Sequence, residues 1–173
     1  MSARPLSVPI AAPEPLGRTS GEPLVRAATL YDVPALARLI APFVAGGDLL
    51  PRGEYDLCRH IREYAVVADG AGGLAACGAL KIYSRELAEI AALAVRSDCQ
   101  RSGFGRAIVA RLLGEARDQG MTRVFALTRQ PAYFLRLGFA HADKAEFPLK
   151  VWADCTRCPR RECCDEIAVV IRP

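Results

Sequence analysis

Two stretches of this 173-residue chain combine residue types and spacings that could do chemistry. The first is QRSGFGRAI, Gln100 to Ile108, which follows an apolar run and opens a helical pattern. Backbone N–H groups at a helix start are unpaired, and the first-turn dipole favours an anion there. Gly103 and Gly105 remove side chains that would hold a phosphate away from those groups, and Arg101 and Arg106 can add charge-assisted bonds. The string has neither the fuller GxGxxG form nor a GKS or GKT ending, so dinucleotide and P-loop readings both fit poorly. Glycines at a loop-to-helix junction also serve purely conformational ends. Taken alone, the stretch leaves a pyrophosphate grip and a plain turn both open.

The second stretch is the cysteine run C-x2-C-x4-C-C, formed by Cys155, Cys158, Cys163 and Cys164. Its first pair has zinc-ribbon spacing, but neighbouring residues serve one tetrahedral site badly. No metal is expected, and a thiol cluster that shapes a lid is the preferred reading. Seven cysteines are an odd number in a chain with no secretion signal, which argues against a disulfide scaffold.

These residues need elements to position them. The composition is 51% hydrophobic and 24% charged, enough to bury a continuous core and unlike a disordered chain. The formal charge of +4 suits an anionic ligand, while nucleic acid would call for a basic stripe with aromatics. No apolar run reaches the roughly 18 residues of a membrane span. Residues 1–23, rich in Pro and Gly, read as a disordered leader before a single domain over 24–173, in the cytoplasm.

Leu24 to Ala28 reads as a short strand. Asp32 caps an amphipathic helix with Leu36, Leu39, Ile40 and Phe43 on one face, ended by Gly46 and Gly47. A second helix over Glu54 to Arg62 points Tyr55, Cys58 (or Leu57) and Ile61 inward. Then YAVVAD, LAACGALKIY and LAEIAALAV read as successive antiparallel strands, the first two joined by the turn GAGG. Gly103 to Gln119 is helical, RVFALT a central strand, Pro131 the start of a short helix closed by Gly138, and EIAVVIR a last strand. The cysteine-rich segment, 150–166, lies between the last two strands. The fold class is α/β (α+β): a mixed, mostly antiparallel central sheet flanked by helices. An exposed last strand, Ala168 to Ile171, is the kind that pairs across a two-fold, so a homodimer is expected.

In this order of elements the sequence resembles the GNAT superfamily of acetyl-CoA-dependent N-acyltransferases. Their pyrophosphate loop, Gln/Arg-x-x-Gly-x-Gly/Ala, is met by Gln100, Gly103 and Gly105, and their late Leu-Gly-Phe turn by Leu137, Gly138 and Phe139. The resemblance covers the chain from about Leu24 onward. It implies that the strand before the loop splays from its neighbour and offers backbone groups across Leu93, Ala94 and Val95 to the pantetheine arm of acetyl-CoA. The loop from Gln100 through Arg101, Ser102, Gly103, Phe104 and Gly105 to Arg106 would hold the pyrophosphate.

A narrower resemblance is to N-acetylglutamate synthases, which open arginine biosynthesis, in a short form lacking their kinase-like domain. It rests on CGALK, AEIAALAV, VFALT, AYFLRLGF and the tail FPLKVWADCTRCP with CCDEIAV. It implies Glu89 as the base that deprotonates the amine, and Thr128 as the hydroxyl that meets the leaving thiolate. Phe134 stands where the superfamily more commonly has a tyrosine acid, with Tyr133 one residue earlier as an alternative. Arg52 and Lys81 match basic positions for the carboxylates of L-glutamate. A further arginine has no clean match, and Arg129, Lys150, Arg157 or Arg160 could replace it. Cys77 invites a covalent route, although its small neighbours make it read as a strand residue. Two other readings stay open: a GNAT enzyme acting on another amine, and a non-catalytic acyl-CoA sensor.

Overall fold

The computed structural model describes residues 24–148, 154–158 and 160–173. Residues 1–23, expected to be a disordered leader, and Lys150 lie outside the described residues.

Strands β1 (Val25–Ala27), β2 (Tyr64–Ala68), β3 (Leu74–Ile82), β4 (Leu87–Val95), β5 (Arg123–Thr128), β6 (Ala140–Ala142) and β7 (Ile167–Ile171) form one sheet in the order β1-β2-β3-β4-β5-β7-β6. The β4–β5 pairing is parallel and the others are antiparallel. Helix α3 (Phe104–Asp118) makes the crossover between the parallel strands. A connection of this kind is needed because a parallel neighbour cannot be reached through a tight turn.

Period-two alternation sorts the strand side chains onto two faces. On one face Leu80, Ile90, Val124 and Val169 pack with Ile108, Leu112 and Ala116 of α3. On the other, Val66, Cys77, Ala79 and Ala94 lie with Leu36, Leu39 and Ile40 of α1 (Val33–Ala45) and with Leu57 of α2 (Glu54–His60). Phe125 stacks on Phe147 with ring centroids 4.1 Å apart, and Tyr83 and Leu87 pack beside them. The short α4 (Pro131–Leu135) places Phe134 edge-on to Phe139, 5.2 Å away.

Three expectations need correction. Tyr55 is 71% exposed and Leu57 is buried in its place, because the helix is short and only one side of it meets α1. The last strand is not an exposed edge: β7 sits between β5 and β6, so its backbone groups are paired on both sides and the two-fold pairing expected of it has no free edge to use. Asp32 sits at the N-cap of α1, but its side chain makes no capping bond there. Arg26 donates to both of its carboxylate oxygens at 2.7 Å, and the Thr29 N–H donates at 2.7 Å. Arg26 is thus structural.

Candidate active site

β4 carries the geometry that matters. Its ladder with β5 runs only through Leu87–Arg123, Ala88–Val124 and Glu89–Phe125. Beyond Glu89 the two strands part, so Ile90 to Val95 turn one backbone edge away from any ladder partner in β5. A bulge sharpens this departure. Cys77 pairs with Ala94 and Ala79 with Ala91, so Gly78 alone opposes Ala92 and Leu93, and Ala92 has φ 51°. Gly78 is required by close approach: a Cβ there would stand 2.6 Å from Ile108 Cγ2 of α3.

The glycine turn follows directly. Gly103 is the N-cap of α3 in the left-handed region, φ 84°, and a Cβ added there would meet nothing within 4 Å. The start of this 15-residue helix is therefore open on the Gly103 side. Gln100, Arg101, Ser102 and Arg106 are all exposed around it, and Arg101 also has a positive φ, 65°. The Gln100 side-chain amide donates to the Val95 carbonyl at 3.4 Å, and the Ser102 hydroxyl donates to the Cys99 carbonyl. A splayed strand running into an open helix nose fits an extended phosphorylated arm.

A cleft opens where β4 and β5 part. It is bordered by Ile40 and Phe43 of α1, Gly47 to Arg52 in part, Glu89 to Leu93, Leu127 to Gln130, Tyr133 and Phe134. Asp154, Cys155, Cys158, Arg160, Cys164, Asp165 and Glu166 close it from the cysteine-rich side. Glu89 is 3% exposed and is no solvated edge residue. Its Oε2 accepts from the Tyr83 hydroxyl at 2.8 Å. Thr128 also borders the cleft, and its Oγ1 accepts from the Gln130 N–H at 2.9 Å, which leaves its own proton to donate. Among the described residues the buried Tyr133 hydroxyl has no hydrogen-bond partner. It lies 2.7 Å from where a Cβ on Gly105 would be, at the start of α3, and burial pushes the phenol above its ordinary range.

The basic residues divide. Arg52 borders the cleft, 4.0 Å from Asp154. Lys81 does not reach the cleft lining; its Nζ sits 2.7 Å from Asp154 Oδ2. Arg129 borders the cleft, but its guanidinium donates to Asp165, to Asp48 and to the Gly47 carbonyl, each at 2.8 Å. It joins the end of α1, the end of β5 and the tail, and holds Asp165 below the usual carboxylate range. Arg160 borders the cleft with an ion pair to Asp165 at 3.5 Å and a buried Nε that has no partner among the described residues. Lys150 and the side chain of Arg157 lie outside the described residues.

Cys77 is fully buried, donates to the Ala92 carbonyl at 3.4 Å and is pushed up to about 12 by burial. A thiol that stays protonated beneath α1 is a core residue and not a nucleophile. Among the described residues no three His, Cys, Asp or Glu side chains converge as a metal site, and no helix is long and apolar enough to cross a membrane.

Tyr83 and Asp154 were not singled out from the sequence. Tyr83 could have been, since it lies two residues beyond Lys81 and so shares its face of β3. Asp154 comes from a stretch with no periodicity and gave no such signal.

The splayed parallel pair and the glycine-nosed helix define an acyltransferase fold. Residues 36–139 match the acetyltransferase (GNAT) family model, and the chain belongs to that family, whose acyl donor is acetyl-CoA. It is 38% identical over 146 residues to an uncharacterized N-acetyltransferase of Chlorobaculum tepidum, covering 84% of this chain and 94% of that one. It is 36% identical over 137 residues to an amino-acid acetyltransferase of Mycobacterium tuberculosis, covering 78% of each. The N-acetylglutamate synthase of Neisseria gonorrhoeae, solved with coenzyme A and N-acetyl-glutamate, superposes with a TM-score of 0.78 at 31% identity, over 89% of this chain. The present chain spans 36% of that longer protein.

Proposed function

We propose that the chain transfers the acetyl group of acetyl-CoA to the α-amine of L-glutamate, in the cytoplasm, as the first step of arginine biosynthesis. The observation that carries this reading is the buried carboxylate of Glu89 at the point where β4 and β5 part, facing a cleft that also holds Arg52. The amino-acid acetyltransferases among its relatives, and the N-acetyl-glutamate bound by the gonococcal synthase, support the choice of amine.

Acetyl-CoA supplies an activated thioester carbonyl, and the chain's residues do the rest. The N–H groups at the start of α3 and the side chains of Arg101 and Arg106 hold the pyrophosphate, and the free edge across Leu93 to Val95 holds the arm. Glutamate's amine is mostly protonated near neutrality, and Glu89 accepts that proton before attack. A backbone N–H of the splayed strand stabilises the developing oxyanion. The Thr128 and Tyr133 hydroxyls, both bordering the cleft, are donors placed to meet the departing sulfur. Arg52 and Arg160 are the cleft cations that meet the two carboxylates, while Arg129 keeps the wall between them in place.

One observation favours a second reading. Among the described residues five carboxylates border the cleft, Asp48, Glu89, Asp154, Asp165 and Glu166, against three guanidinium groups, Arg52, Arg129 and Arg160. A rim with that balance suits a cationic acceptor such as a polyamine or a basic amino acid. A thiol-release assay with acetyl-CoA against the twenty amino acids and a set of polyamines separates the two. Release stimulated chiefly by L-glutamate supports the first reading, and release stimulated chiefly by a cationic amine replaces it.

A further inference from the structure

The charged groups behind the cleft form a connected set that general-base chemistry alone does not require. Lys81 and Glu89 are cross-strand partners in the β3–β4 ladder. Tyr83, two residues along the same face, donates its hydroxyl to Glu89 Oε2 at 2.8 Å and lies 3.4 Å from Asp154 Oδ2. That second carboxylate sits 2.7 Å from Lys81 Nζ and 4.0 Å from Arg52. It comes from the cysteine-rich segment, seventy-one residues further along the chain from Tyr83. A phenol has one proton to give. Two carboxylates within reach of it compete.

We propose that Tyr83 is a positioning residue for Glu89, and that Asp154, brought in by the cysteine-rich segment, competes for its proton and so tunes the strength of the base. The proposal rests on the reading of Glu89 as base. Tyr83 is held for this purpose by its ring, which packs against Phe125 with centroids 5.8 Å apart. Burial and the neighbouring Glu89 push its hydroxyl well above the ordinary phenol range, so it stays a donor at every working pH. Among the described residues, the other titratable groups around the set are few. Tyr64 on β2, pushed up to about 12 by burial, stays neutral, as does Cys77 on β3. β5 presents apolar Phe125 at the register of Glu89. Lys81 and Arg52 are the cations, and both lie against Asp154.

The signs follow from these contacts. A hydrogen bond to an ionised carboxylate favours the ionised form, and a nearby like charge disfavours it. Removing the Tyr83 hydroxyl therefore disfavours the ionised carboxylate of Glu89, and removing the Asp154 charge favours it while freeing the Lys81 and Arg52 cations. The experiment is the pH profile of kcat/KM for the Tyr83→Phe, Asp154→Asn and Glu89→Gln enzymes, with acetyl-CoA affinity and thermal melting as checks of folding. Tyr83→Phe is expected to move the acidic limb up by about one pH unit, the size of one charge-assisted bond. Asp154→Asn is expected to move it the opposite way. An unmoved limb in a folded Tyr83→Phe enzyme overturns the proposal, as does a shift of both variants in the same direction. Should Tyr83→Phe fail to fold, the direction of the Asp154→Asn shift decides. If Glu89→Gln keeps the wild-type limb, the base reading itself fails, an outcome distinct from the other two.

Discussion

Tyr133 is the residue whose role changes most between sequence and structure. As the neighbour of the expected acid position, it would face away from the site on a regular helix. In the structure α4 is only Pro131–Leu135, and its start directs the phenol toward the start of α3. A buried hydroxyl without a partner among the described residues costs about 1–3 kcal/mol, and the charge that develops on the departing sulfur in the transition state would give it one. Tyr133→Phe should therefore lower kcat by about tenfold with acetyl-CoA affinity kept, as measured by steady-state kinetics beside equilibrium binding. Thr128→Ala, measured in the same way, assigns the donor if Tyr133→Phe leaves kcat unchanged. For Arg52, replacement by alanine should raise KM for glutamate by about tenfold or more, since a charge-assisted bond is lost. An unchanged KM would remove it from the carboxylate site. Glu89→Gln should lose most turnover at neutral pH, and undiminished turnover would end its reading as base.

At the scale of elements, the β3–β4 hairpin and α3 act as one device. The bulge opposite Gly78 turns β4 away from β5, and the same glycine lets α3 lie close enough to present its first turn beside the strand. Gly78→Val should destabilise the fold by about 1–3 kcal/mol through overpacking against Ile108, read from urea denaturation. It should also weaken acetyl-CoA binding, because the strand edge and the helix nose would no longer be held in register. Wild-type stability in that variant would show that α3 can shift without cost. The cysteine-rich segment ties the far side of the cleft to the sheet. Asp154 reaches Lys81 and Tyr83, while Asp165 reaches Arg129.

For the whole molecule, the acid limb of stability should be set by a few surface and half-buried carboxylates. Arg96, with the Ala71 and Gly73 N–H groups, lowers Asp69 to about 2. Asp32 is also lowered: burial opposes its ionisation, but the bonds from Arg26 and Thr29 outweigh it. Both have folded values below the unfolded one. The unfolded chain therefore binds more protons in this range, and stability is present above about pH 4 and lost as pH falls toward about 2. Urea midpoints taken at pH 5, 4 and 3 should fall steadily, and Asp69→Asn should flatten the slope. A midpoint that does not change between pH 5 and 3 would contradict this.

The sequence by itself determined the elements, their order and the anion-ready turn, because these depend on local quantities: apolar periodicity, helix starts and glycine placement between Val25 and Phe139. It also determined that Glu89 lies in the strand leading to that turn. The tertiary structure decided what surrounds Glu89. Asp154, Arg129 and Arg160 meet around the cleft through contacts between residues far apart in the chain, and no periodicity encodes those contacts. For the same reason Lys81 and Arg129 read as free cations in the sequence, whereas in the fold both lie against carboxylates. Whether a charge is available to a ligand depends on which opposite charge the fold brings beside it.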